Sequence, residues 1–366
     1  MRERAEIAAA TVTAFYQFDV SEQIDLTALR ATLRTGAAAK LQPAALTPSY
    51  LQYQVAPLVV EGDHVGIAAI EGFTARLKFF DYGVVSLALT RPFRGTWAEL
   101  IAASQAYVEN EALESRAEAA VRGLVERCSA AMTKRHDVYV SEDYLAIAVT
   151  ALDAPLTADD LLAQRAEAIA RIVRGERQPL SAQEQASVLG HRLSYLANDL
   201  IVPTWNCAFI YDSEPGAVAA LELFEFANSQ LLEFRYYDGL LDTELGRIYG
   251  LLQRSRWWNS LFGRGYVRAA GQLHTLFIDV NELTDRTENA LKIVGDIYAA
   301  RVFDLAAARL GLGRWKQSVE DKLETLDDVY RFAVEQVSIA RGHFLELVIV
   351  LILLFELALF FLGIMT

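Results

Sequence analysis

Cysteine is scarce: Cys128 and Cys207 are the two in 366 residues. Two thiols cannot build a disulfide framework or a thiolate metal cluster, and both read as buried free thiols. Lysine is scarce as well, six residues against 28 arginines, and the acids outnumber both together to leave a net charge of −13. That balance argues against a protein that coats nucleic acid through general basicity. The five histidines, His64, His136, His191, His274 and His343, show no metal-ligand spacing. No Walker A loop, GxSxG elbow, HExxH pair or kinase signature occurs. Gly311-Leu312-Gly313 lacks the strand that a dinucleotide-binding turn requires and reads as a hairpin turn. These absences set the expectation of a non-catalytic protein with no cofactor, no metal and no catalytic residue. The N-terminal MRERAEIAAATVTAFYQF has no apolar signal-peptide core, which places the large domain in the cytoplasm as an expectation.

What is present is organised in two styles. The length allows roughly two domains, and a hydrophobic content of 53% can fill a sizeable core. Thr11 to Val20 is β-branched and aromatic and reads as a strand; Ile24 to Leu33 reads as a helix. Strands are expected at Leu51 to Val60, Arg76 to Phe80, Val84 to Leu89 and Val138 to Val149, with Asp81-Tyr82-Gly83 as a tight turn. Thr96 to Ala131 reads as helical. Thr157-Ala-Asp-Asp and Ser181-Ala-Gln-Glu open two more helices as capping boxes. Leu200 to Tyr211 is strand-like, and Pro203 marks it as an edge or a bulge.

From Glu214 onward no strand signal remains. Leu323, Leu326, Tyr330, Ala333, Val337, Ala340 and Phe344 alternate spacings of three and four, the seam of a coiled coil. Leu276, Val280, Leu283, Thr287, Ala290, Val294 and Ile297 repeat the pattern. Two such seams joined through Gly311 and Gly313 suggest an antiparallel helical hairpin. The last 23 residues, FLELVIVLILLFELALFFLGIMT, approach the roughly 20 apolar residues that span a hydrocarbon layer. Only Glu346 and Glu356 interrupt them. Arg341 and His343 flank the run on its N-terminal side, as the positive-inside rule asks.

Four stretches carry a resemblance: VTAFYQFDVSEQIDLTALRATL (12–33), FFDYGVVSLAL (79–89), LLEFRYYDGLLD (231–242) and HFLELVIVLILLFELALF (343–360). In this order they resemble the RMND/Rmd/Sif family of membrane-associated proteins. The resemblance implies a mixed α+β domain, then helices, then a C-terminal membrane helix carrying acidic residues. For mitochondrial members it implies support of organellar translation as membrane-bound anchors or assembly factors. The acidic N-terminus fits a bacterial member instead and puts the translation role in doubt. No catalytic motif comes with it.

Three constellations are candidates for chemistry. Arg235, Asp238 and Asp242 share one helix face, extended by Asn228. They could hold a ligand or metal with two carboxylates one turn apart, or form an ion pair that fixes helix register. Glu356 would be an intramembrane acid, serving helix association or an ion pathway through several copies. Arg254 to Arg268 reads RSRWWNSLFGRGYVR, with Arg254, Arg256, Trp257, Trp258, Arg264 and Arg268 forming a basic-aromatic tip. Such a tip suits RNA by charge and stacking, anionic headgroups, or a solvated helix end.

The expected fold class is α+β: an N-terminal mixed strand and helix domain over 1–212, a long coiled-coil-like helical hairpin over 213–342, and a single C-terminal transmembrane helix over 343–366. The expected function is a tail-anchored, homo-oligomeric scaffold or assembly factor at the bacterial inner membrane. The alternatives are ribosome or RNA tethering, a small-molecule hydrolase or sensor, and an ion-conducting oligomer through Glu356. The expected partners are the membrane, further copies of the chain, and the ribosome or RNA.

Overall fold

The computed structural model describes residues 6–36, 51–67, 70, 72–254, isolated positions between 271 and 285, 291–293 and 296–361. The chain divides into two compact units. One comprises Met1–Tyr236 with Arg286–Trp315, the other Tyr237–Asp285 with Lys316–Thr366.

The first unit is built on a seven-stranded sheet of order β3-β4-β5-β1-β6-β8-β7. Its strands are β1 (Ile7–Ile24), β3 (Leu58–Glu61), β4 (Thr74–Phe79), β5 (Val84–Gly95), β6 (Met132–Leu152), β7 (Leu200–Pro203) and β8 (Cys207–Tyr211). Every neighbouring pair is antiparallel except β6 and β8. A short pair, β2 (Leu51–Tyr53) with β9 (Leu291–Ile293), lies apart from this sheet. Gly83 turns β4 into β5 at φ 104, and a Cβ there would meet the Ser21 carbonyl oxygen. Only glycine fits that turn. The single strand expected at Leu200 to Tyr211 is two, broken at Thr204-Trp205-Asn206. Pro203 ends β7, an edge strand where its missing N–H costs no ladder bond.

The helices of this unit are α1 (Leu26–Gly36), α2 (Gly62–Val65), α3 (Trp97–Tyr107), α4 (Glu111–Arg127), α5 (Ala158–Arg174), α6 (Ala182–Leu189), the first part of α7 (Glu214–Arg254) and α8 (Ile297–Leu310). Thr157 and Ser181 cap α5 and α6, accepting bonds from the Asp160 and Glu184 amides. Period-two alternation sorts the sheet into two faces. Ala10, Val12, Ala14, Tyr16 and Phe18 of β1 join the apolar core with Leu100 of α3, Val121 of α4 and Ile169 of α5. The intervening Gln17 and Asp19 are buried too, but on the face that carries α7. Cys128 and Cys207 are free and buried.

The second unit includes the rest of α7 and most of α9 (Leu312–Phe361), a helix of 50 residues. Gly311 closes α8 in a left-handed conformation, φ 72, and α9 starts at once. Of the second expected seam, Leu276, Leu283, Thr287, Ala290 and Val294 lie outside the described residues, and β9 interrupts that block as a strand.

The expected C-terminal transmembrane helix is overturned. Among the described residues, no helix is long and apolar enough to cross a membrane. Two acids divide the described part of the run. Between Glu346 and Glu356 only nine residues, Leu347 to Phe355, run uninterrupted, about 14 Å of helix at 1.5 Å per residue. That is half of the roughly 30 Å hydrocarbon layer. The tail-anchored membrane reading falls with it; Glu356 is exposed on α9.

Candidate functional site

The polar face of the sheet and α7 enclose a charge network that the sequence shows in outline. Strand β4 reads TARLKF, with basic Arg76 and Lys78 alternating with apolar residues. Helix α7 carries Glu222, Glu225, Ser229 and Glu233 at spacings of three, four and four, a polar stripe on an apolar helix. The two stripes meet. Lys78 Nζ lies 2.5 Å from Glu225 Oε2 and 2.7 Å from Glu222 Oε2, with the lysine side chain 2% exposed. Ser86 Oγ donates to Glu225 Oε1 at 2.7 Å, and Arg76 Nη2 approaches Glu225 Oε2 at 3.7 Å. Gln17 Nε2 donates to the Glu225 carbonyl oxygen at 2.7 Å. Tyr53 OH donates to Glu222 Oε1 at 2.7 Å, and Tyr82 OH and Ser229 Oγ bond at 2.7 Å.

Two cations and two carboxylates balance, which is what makes such burial tolerable. Burial alone would raise the Glu222 carboxyl, but Lys78, Tyr53 and Arg76 outweigh it and hold it below the usual value. The Tyr53 phenol is pushed well up by burial and by the adjacent Glu222 carboxylate. Lys78, Glu222 and Glu225 are bound to one another, so the network clamps helix to sheet. Among the described residues no group of three or more His, Cys, Asp or Glu could hold a metal.

The residues singled out from sequence are placed as follows. Asn228 is 1% exposed; its Nδ2 donates to the Phe224 carbonyl at 2.8 Å. Arg235 pairs with Glu142 of β6 and lies over the Trp315 ring, 6.0 Å from its centroid. Asp238 and Asp242 do stand together, on Lys322, at 2.8 and 2.7 Å. Ser318 Oγ adds a 2.6 Å bond to Asp238. Burial alone would lower the Lys322 ammonium, but these two carboxylates raise it. The stripe therefore divides: Arg235 serves the sheet and the two aspartates share one lysine. The end of α7 reaches Arg254, whose side chain is outside the described residues, as are Arg256, Trp257, Trp258, Arg264 and Arg268.

Sequence reasoning missed Lys78, Glu222 and Glu225. The signal was available as charges at strand period facing charges at helix period, but only their opposition across the layer identifies them as partners.

The comparisons locate this architecture. The family described as "Uncharacterized protein MJ0711, N-terminal domain" matches residues 9–217, more than half of the chain. The chain belongs to that family. All but the first two residues of the seven-stranded sheet, and the start of α7, fall within the matched span. A relative from Methanocaldococcus jannaschii, "Uncharacterized protein MJ0711", is 23% identical over 201 residues, covering 55% of this chain and 61% of the relative. The chain thus spans less than two thirds of that relative's length. No solved structure matches. The resemblance to the RMND/Rmd/Sif family is corrected by these findings, since nothing in them points there. Its four supporting stretches are short and rich in Phe, Leu and Val, a pattern that buried strands and helices of many folds share.

Proposed function

We propose that the protein is a non-catalytic assembly protein, a scaffold built from several copies of this chain that displays its α+β unit. One observation carries the reading. From Leu345 to Leu357, ten large apolar side chains of α9 are between 49 and 65% exposed. Together they form a contiguous apolar surface of the order that one partner contributes to a standard interface. A soluble surface rarely carries so large an apolar patch unless it is an interaction site.

The occupant proposed is α9 of further copies. Ile349 to Phe355 are seven consecutive apolar residues; at 100° per residue they point to every side of the helix. A single flat partner surface covers one side only, whereas like helices in a bundle cover all of them. The run contains no lysine or arginine, so nothing in it asks for an acidic partner. The consumption of Lys78, Glu222 and Glu225 by one another supports the non-catalytic part of the reading.

Light scattering on the full chain after gel filtration tests it. The expected mass is a multiple of 40.7 kDa, falling toward a single chain in Val350→Lys/Leu354→Lys. A wild-type protein at single-chain mass, or a variant of unchanged mass, overturns the proposal.

A further inference from the structure

A second buried polar cluster lies where β1 and β6 lose register. Their pairing runs unbroken from Thr11 opposite Ala148 to Asp19 opposite Val140, and resumes at Ser21 opposite Arg135. Across this gap β1 spends one residue, Val20, while β6 spends four, 136–139. Lys134, just beyond, takes φ 48, a conformation that side chains other than glycine seldom adopt. Bulges of this kind re-aim a side chain. Here the re-aimed side chain is His136, whose Nε2 stands 3.6 Å from Asp19 Oδ1. Its ring packs edge-on against Tyr236 of α7, with centroids 4.5 Å apart at 87°.

The contact is incomplete as an ion pair. Asp19 is 2% exposed, yet its Oδ2 has no hydrogen-bond partner among the described residues, and neither has His136 Nε2. Charged groups reach the cluster from each element packed on it. Glu22 of β1 acts on both Asp19 and His136, Asp137 of β6 acts on His136, and Glu233 of α7 acts on Tyr236; of the cations on β6, Lys134 is bonded to Glu22 at 2.8 Å and Arg135 stands opposite Ser21. The Ser21 backbone supplies Asp19 with one hydrogen bond, but burial outweighs it, and a buried carboxylate with an unused oxygen is costly. A proton on Asp19 removes the charge and turns the carboxyl into a donor for the neutral imidazole, so both unused atoms are satisfied at once.

We propose that Asp19 and His136 form a proton-operated latch, closed by a proton on the Asp19 carboxyl and released when that proton leaves, with the β6 bulge as the part that moves. The burial that raises the Asp19 carboxyl also lowers the His136 imidazole, and Glu22 adds to the rise at Asp19. Both directions favour the neutral pair. The sign is opposite to that of an ion-paired acid. The folded state holds the Asp19 proton more tightly than the unfolded chain. Its contribution is therefore greatest at low pH and is lost as pH rises through the raised value. His136 acts the other way, costing stability as pH falls below its ordinary 6.5. The latch is closed while both groups are neutral, below the raised Asp19 value and above the lowered His136 value.

Amide hydrogen exchange of the full-length protein across 135–140 reads the latch directly. After correction for intrinsic rates, protection in the wild type should fall at least about tenfold as pH is raised from neutral to the alkaline limit of folding. In Asp19→Asn, whose amide is a permanent donor to His136, the fall should vanish. Protection that is flat in the wild type, or a fall that survives in Asp19→Asn, overturns the proposal. Should that variant not fold, ¹³C NMR of aspartate-labelled wild type decides. An Asp19 carboxyl titrating in the ordinary acid range overturns the latch, and one titrating well above that range supports it.

Discussion

The two faces of one sheet are buried to the same degree by opposite means. On one, Val12, Leu87, Ile147 and Phe209 meet α3 to α6 in a core without charge. On the other, Gln17, Lys78 and Ser86 meet Glu222 and Glu225 of α7. Members of both sets are 8% exposed or less. The difference lies in what an error costs. An apolar face loses contact area and leaves a small cavity when trimmed. A charged face loses a partner and leaves a desolvated charge behind. The apolar face is therefore tolerant in detail, while the polar face accepts α7 in one register only.

The sharpest way to break this comparison is Lys78→Met. It strands two carboxylates against Arg76 alone and should cost about 3–5 kcal/mol in denaturant unfolding. Replacing Glu222 and Glu225 by Leu in the same chain should recover much of that loss; a single exchange costing under about 1 kcal/mol would show that the network is not closed. Acid is the next probe. The Glu222 carboxyl is depressed on folding, so its contribution is present above the ordinary value of 4.5 and is lost as pH falls through the lower folded value. Unfolding midpoints should drop across that window in the wild type and change less in the Lys78→Met/Glu222→Leu/Glu225→Leu chain. Ser86→Ala removes one donor to Glu225 and should cost about 2 kcal/mol. On the apolar face Ile147→Val removes one methylene and should cost about 1 kcal/mol, with an unchanged unfolding slope. If Ile147→Val proved costlier than Ser86→Ala, the contrast between the faces would be wrong.

Much of the first unit was legible residue by residue. The β-branched run at Thr11 to Val20, the caps at Thr157 and Ser181 and the turn at Gly83 each act within a few positions of themselves. The helix at Thr96 to Ala131 was legible as helical content but not as α3 and α4, since Asn110 starts α4 as an N-cap inside an otherwise helical composition. Strand β9 was not legible, because its three residues exist as a strand only by pairing with β2. The C-terminal run was read as a membrane span with its two acids in view, and no described helix is long and apolar enough to cross one. The candidate stripe on α7 was legible as a stripe. Its division between Glu142 and Lys322 was not, since neither partner lies near it in sequence.

By itself the sequence determined the capped helix starts at Thr157 and Ser181, the turn at Gly83 and the existence of β1, because caps, turns and alternation are short-range chemistry. Only the tertiary structure decided which buried charges face each other. Lys78 and Glu225 are 147 residues apart in the chain and 2.5 Å apart in space. That pairing is set by the order of the strands and the side on which α7 lands, and a buried charge acquires its meaning from whatever the fold places opposite it.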